Sequence, residues 1–141
     1  MITKKYVVGF LFDHILENVV LILKLRPEWQ LGKWNGVGGK IEADEKPLAA
    51  MRREFKEETG MFVADWREFC LMTGEGWQVH CFVAFSTDIR CVESMTDEPV
   101  QIHALSFVGC LQKTPNVTWL IPMALATWNK TEIPFYKVEE A

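Results

Sequence analysis

The chain has 141 residues, a length that suits one domain over residues 1–141 with a core of its own. Fifteen Lys and Arg against nineteen Asp and Glu give a formal charge of −4. That balance argues against polymeric nucleic acid or an anionic membrane surface as a partner, since both call for a basic field. Cys70, Cys81, Cys91 and Cys110 form no C-x-x-C pair, which counts against a zinc cluster; they read as buried or free thiols in a reducing, cytoplasmic setting.

The first apolar run, in MITKKYVVGFLFDHI, is too short to span a bilayer, is interrupted by Asp13 and has no small-residue cleavage site. Tyr6–Phe12 and Val19–Leu25 are β-branched and aromatic, with the polar DHILEN between them, and predict a β-hairpin whose strands are covered on both faces. RPEWQLGKWNGVGGK, broken by Pro27, Gly32, Gly36, Gly38 and Gly39, predicts a loop with a short strand inside.

Pro47–Thr59 predicts a helix. Pro47 suits its first turn, Asp44 and Glu45 lie near its N-terminal end, and Gly60 stands where a left-handed C-cap belongs. Leu48, Met51, Phe55 and Thr59 recur at helical spacing and face a core. Further strands are expected at 68–72, 78–86 and 104–108, and a second helix over Trp119–Trp128 with Pro122 near its start. Strands mixed with two helices point to a layered α/β or α+β domain.

Glu54, Glu57 and Glu58 share an arc of roughly 100° on the first helix. Like charges four apart, as in Glu54 and Glu58, cost a helix about 0.2–0.5 kcal/mol. Arg53 offsets part of this. A divalent cation would remove the rest, because Mg²⁺ prefers hard carboxylate, phosphate and water oxygens. Before the helix, Gly36-Val37-Gly38-Gly39 lets backbone approach a ligand closely, and Lys40 can meet a phosphate oxygen as a point charge. The loop lacks the GK[ST] ending of a P-loop and opens no helix.

Gly39, five residues, Glu45, seven residues, and then Arg53-Glu54-Phe55-Lys56-Glu57-Glu58-Thr59-Gly60-Met61 resemble the box of the Nudix hydrolases, here residues 39–61. Each fixed position of that pattern matches; Phe55 and Met61 are apolar without being the commonest aliphatics. The resemblance implies an α/β/α sandwich with a central mixed sheet. It also implies Mg²⁺- or Mn²⁺-dependent hydrolysis of a nucleoside diphosphate linked to another moiety. By the family pattern Glu54, Glu57, Glu58 and the Gly38 carbonyl hold metal, and Glu54 or Glu58 is the base. Arg53 orients a glutamate and Glu45 supports the loop–helix geometry.

Three further stretches resemble the MutT-like branch, which hydrolyses (d)NTPs including oxidised purine forms such as 8-oxo-dGTP. Trp34–Lys40 resembles the WNGFGGK of mammalian-type oxidised purine triphosphatases, which makes Asn35, Gly39 and Lys40 substrate-binding candidates. Glu98 is the candidate for one more acidic metal ligand. Asn116 stands where MutT-like enzymes bring an Asn or Asp to the base, although Asn116-Val117 replaces the two acidic residues of the mammalian type. His80 and Phe82 share one strand face, and Trp119 and Trp128 read as core.

Marks of other branches are missing: the proline of many ADP-ribose hydrolases, the SQPWPFPxS of the NADH branch, and the downstream tyrosine of diadenosine polyphosphate hydrolases. The alternatives are hydrolysis of one of those substrates or a non-catalytic nucleotide-sensing module. A small nucleotide is the expected partner, to a monomer or a homodimer.

Overall fold

The computed structural model describes residues 3–140; Met1, Ile2 and Ala141, which the sequence reading counts in its domain, lie outside them. The hairpin forms as β1 (Lys4–Asp13) and β2 (Asn18–Leu23). It is paired only near its turn, Leu11 opposite Val20 and Phe12 opposite Val19. Beyond that the strands part, and one extended segment enters the fork. Its first half, β3 (Trp34–Asn35), pairs with Ile22 and Leu23 of β2; its second, β4 (Val37–Lys40), pairs with Tyr6–Gly9 of β1. Gly36 lies at the crossing, where a Cβ would stand 2.8 Å from both the Gly9 carbonyl oxygen and a Val8 methyl. The glycine loop foreseen from the sequence is therefore mostly strand.

After the helix α1 (Pro47–Thr59) come β5 (Arg67–Gly74), β6 (Trp77–Ser86) and β7 (Val100–Ala104), then the helix α2 (Val117–Leu125) and β8 (Tyr136–Glu139). β6 runs parallel to β1 over the whole of β1 and antiparallel to β5, so the sheet is mixed. β7 pairs with the free edge of β2, and β8 runs parallel to β5.

Period-two alternation divides the apolar residues between the faces. Val7 and Leu11 of β1, Val20 and Ile22 of β2, and Phe82 and Ala84 of β6 pack with Met51 and Phe55 of α1. Val8, Phe10, Phe12, Val19, Leu21, Cys81 and Val83 pack with Leu120, Ile121 and Ala124 of α2 on the other face. The result is an α/β/α sandwich around a mixed sheet, with β1 and β2 buried on both sides as their unbroken apolar runs foretold. Burying a phenylalanine such as Phe10, Phe12 or Phe55, each 0% exposed, contributes about 1.5–3 kcal/mol. Among the described residues no helix is long and apolar enough to cross a membrane.

Some expectations change. The strand foreseen at 104–108 lies at Val100–Ala104, and Leu105–Cys110 forms a 3₁₀ helix. Its ladder partner β2 begins at Asn18, opposite Ala104, so no strand edge continues past that point. α2 starts two residues early, which puts Pro122 inside the helix, and ends at Leu125 rather than at Trp128. Trp128 is 37% exposed and meets Phe85 edge-on, so it caps the core rather than belonging to it. β8 carried too short a signal to be foreseen.

The DHILEN turn is closed by Asp13, whose carboxylate accepts from the Glu17 and Asn18 backbone N–H groups and from Asn18 Nδ2. Burial raises its pKa, but the Asn18 and Glu17 hydrogen bonds outweigh burial and hold it below the usual value. A lowered carboxyl pKa stabilises the fold above the unfolded value of about 3.9, and that stability is lost as pH falls through the folded value. Asp13→Ala is expected to cost about 1–3 kcal/mol at pH 7, read as a lower thermal midpoint, with the gap to the parent narrowing in acid below that range.

Candidate active site

α1 ends as its sequence dictates. Gly60 adopts φ 74° and its N–H closes on the Lys56 carbonyl. At the other end Pro47 occupies the first turn, while the cap residue, Lys46, makes no side-chain cap. Glu45 instead turns to Arg53, eight residues on.

Arg53 is the hub of the acidic face. Nε and Nη2 grip the two Glu45 oxygens at 2.8 and 2.9 Å, Nη1 donates to Glu54 at 2.9 Å and to Glu57 at 3.3 Å, and Nη2 also donates to the Lys40 carbonyl at 3.0 Å. One guanidinium thus ties the glycine segment, the pre-helix turn and two box glutamates together, a task its planar fork suits and an ammonium does not. Arg53 holds the Glu45 carboxyl below the usual range, and Glu45 in turn raises the guanidinium pKa.

Glu54 lies against Gly39. A Cβ on Gly39 would come within 2.5 Å of the Glu54 carboxylate, so this glycine is the cradle for that side chain. Gly38, in β4, packs so closely on the Val7 carbonyl that any Cβ would collide with it. Gly39→Ala should therefore push Glu54 aside. A misplacement of this size is expected to lower turnover by about 10²-fold, in a protein whose circular dichroism spectrum is unchanged.

Glu58 is half-buried and accepts from Thr96 Oγ1 at 2.9 Å, while the Met95 N–H donates to its carbonyl. Burial pushes the Glu54 and Glu58 carboxyls above the usual range, only partly opposed by Arg53 and Thr96, and nearby Glu57 raises both. Unmatched negative charge at half-buried oxygens is what a hard cation neutralises, so the donor set fits Mg²⁺ or Mn²⁺. The carboxylates do not converge fully: among the described residues no three acidic, His or Cys side chains form a group able to hold a metal. Glu54 is drawn to Arg53 and Glu58 to Thr96.

Glu98 is 4% exposed, far from a plain surface-turn residue. Its oxygens accept from Lys24 Nζ at 3.1 Å and from the Leu25 N–H at 2.7 Å. It lies near enough to Glu58 to raise that pKa. A role as metal ligand requires it to leave Lys24. Asp97 pairs with Arg26, so the 95–98 segment joins α1 to the 24–33 loop. Nothing in sequence spacing signalled the Glu98–Lys24 pair or the Thr96–Glu58 bond, whose partners lie 74 and 38 residues apart.

The segments that carry Asn35 and Asn116 are joined through Trp34. Trp34 N–H donates to the Gln112 carbonyl, and Thr114 N–H donates to the Trp34 carbonyl, which brings the loop ending at Asn116 alongside β3 and Asn35. Asn116 begins α2 without a side-chain cap. The Asn35 amide accepts from the Gly36 N–H at 2.8 Å and donates to Gln30 Oε1 at 3.2 Å, so part of its hydrogen-bonding capacity serves the loop. Lys40 is exposed next to Gly39. Phe82 is core, and His80 pairs with Glu68 at 2.9 Å.

The NUDIX domain family model matches residues 5–110. The chain belongs to the Nudix family. A Mycobacterium tuberculosis protein with the provisional name 8-oxo-dGTP diphosphatase 2 is 43% identical over 48 residues, which cover 34% of this chain and 34% of that protein. The match thus spans about a third of that relative's length. The Nudix domain of Shewanella oneidensis NrtR, solved with ADP-ribose, superposes with a TM-score of 0.78 at 20% identity, covering 89% of this chain and 88% of that one. The MutT protein of Bacillus halodurans superposes with a TM-score of 0.72 at 22% identity, covering 98% and 90%. At these identities the structural likeness concerns the Nudix fold.

Proposed function

We propose that this Nudix hydrolase is a divalent-metal-dependent pyrophosphohydrolase that cleaves (d)NTPs, oxidised purine forms such as 8-oxo-dGTP among them, to (d)NMP and pyrophosphate. The observation that carries the reading is the box gathered around Arg53, which ties Glu45, Glu54 and Glu57 to the glycine segment while Gly39 cradles Glu54 and Thr96 holds Glu58 beside them. A sensing module has no need of the full set of glutamates.

In this reading Glu54, Glu57, Glu58 and the Gly38 carbonyl would hold Mg²⁺ or Mn²⁺, with Glu98 as a further ligand once released from Lys24. Such an ion would supply charge neutralisation for the polyphosphate and acidify water. Glu58, which accepts from the neutral Thr96 hydroxyl where Glu54 is paired with Arg53, takes the proton of a water that attacks phosphorus; a bridging P–O bond breaks, giving (d)NMP and pyrophosphate. Arg53 keeps Glu54 in place, Glu45 anchors Arg53, and Lys40 meets a phosphate oxygen. Asn35, in β3, and Asn116, at the start of α2, read the base. The provisional name of the mycobacterial relative supports the triphosphate class.

The test is a hydrolysis panel in Mg²⁺ with natural dNTPs and NTPs, 8-oxo-dGTP, ADP-ribose, NADH and diadenosine polyphosphates. Turnover confined to triphosphates is expected. Turnover of ADP-ribose or a dinucleotide alone overturns the substrate class and keeps the Nudix chemistry. Silence across the panel makes nucleotide sensing the better reading.

A further inference from the structure

The 24–33 loop presents side chains that the proposed chemistry does not use. It is a pinned frame. The Lys24 N–H donates to the Lys33 carbonyl and the Gly32 N–H to the Lys24 carbonyl, and the Gln30 N–H donates to the Pro27 carbonyl. Glu98 accepts from the Leu25 N–H at its other side. This frame delivers Gln30, half-buried, to the Asn35 side chain.

The hydrogen bonds around Asn35 fix the sense of both amides. The Gly36 N–H can only donate, so the Asn35 oxygen faces it, and the Asn35 nitrogen faces Gln30. The Gln30 group turned toward that nitrogen is then its oxygen. A flip of Asn35 would set N–H against N–H at Gly36. Held in this sense, Asn35 keeps one N–H and one oxygen lone pair for a ligand, and Gln30 keeps both of its own N–H groups.

We propose that Gln30 is a positioning residue for base selection: by accepting from Asn35 Nδ2 it is the second tether that, with the Gly36 N–H, holds the Asn35 amide in one position toward a nucleobase. The inference rests on the proposed nucleotide reading, with Asn35 at the base. Without the Gln30 oxygen, the Asn35 side chain is held only by Gly36 and can swing to suit several bases. Bases then differ less in affinity, while the carboxylate machinery on α1 is untouched.

The experiment measures binding, apart from turnover. Wild type, Gln30→Leu and Gln30→Glu are titrated with dGMP, 8-oxo-dGMP, dAMP and dCMP, and the Asn side-chain amide signals are followed by NMR. Gln30→Leu removes the acceptor; Gln30→Glu keeps an oxygen in its place. The expected result is that Gln30→Leu shrinks the affinity ratio between best and worst base by about three- to tenfold, one hydrogen bond's worth, and shifts the Asn35 amide signal of the ligand-free protein. Gln30→Glu retains the ranking. In steady-state kinetics with the best triphosphate, the Gln30→Leu effect appears in KM, with kcat within about twofold of the parent. An unchanged ratio in Gln30→Leu, or equal loss in both variants, overturns the positioning role alone. A wild type that discriminates among none of the bases overturns the base-reading proposal and this inference with it.

Discussion

Glu58→Gln is expected to lower kcat on the preferred triphosphate by about 10²–10⁴-fold, the range a positioned general base contributes. The amide matches the carboxylate in shape and can still accept from Thr96 Oγ1, so the fold and the 95–98 segment stay as they are. It cannot take a proton from water, and it no longer offers charge to a cation. Glu57→Gln should also lose turnover. Glu57 is more exposed than Glu54 and Glu58 and shares Arg53 with Glu42, Glu45 and Glu54, so its loss weakens ion binding more than it disturbs the protein. Steady-state kinetics in Mg²⁺ with thermal unfolding of the same samples decides the matter. A Glu58→Gln protein with near-parental kcat contradicts the assignment of this face as the catalytic one.

Arg53→Ala is expected to damage activity and stability together. The side chain is 23% exposed, and its removal leaves Glu45 and Glu54, 15% and 12% exposed, without their cation. Uncompensated charge at these depths costs about 2–3 kcal/mol, below the loss for a fully buried pair. The Lys40 carbonyl and Glu54 also lose their tie, so the glycine segment and α1 can drift apart and turnover falls by about 10²-fold or more. Arg53→Lys should not rescue it, because a point ammonium cannot serve Glu45 in bidentate fashion while reaching Glu54 and the Lys40 carbonyl. Denaturant unfolding and kcat measured side by side check both effects; full rescue by lysine would show that charge alone suffices and that the fork geometry does not matter.

What could be read from the sequence follows from how local each signal is. α1 was legible because Pro47, the Met51–Phe55–Thr59 spacing and Gly60 all act within one helix, and the structure keeps those bounds. β1 and β2 were legible because strands covered on both faces need no polar alternation. The strand at 104–108 was misplaced because apolar content alone does not say where the partner ladder ends, and that limit lies at Asn18. β8 and the fork filled by Trp34–Lys40 depend on pairing with distant strands. In the site, box spacing named Arg53 and the glutamates. Gly39 was assigned to substrate, yet its visible task is to make room for Glu54. Glu98 was named as one more acidic metal ligand. Its bonds to Lys24 and the Leu25 N–H depend on a tertiary contact that no local pattern encodes.

The most direct measurement is product analysis: dGTP and 8-oxo-dGTP incubated with the enzyme in Mg²⁺, with the phosphorus products resolved by ³¹P NMR. The proposed chemistry predicts the nucleoside monophosphate and pyrophosphate in equal amounts, abolished by a chelator and by Glu58→Gln. The nucleoside diphosphate with orthophosphate, or turnover that survives both the chelator and Glu58→Gln, would contradict it.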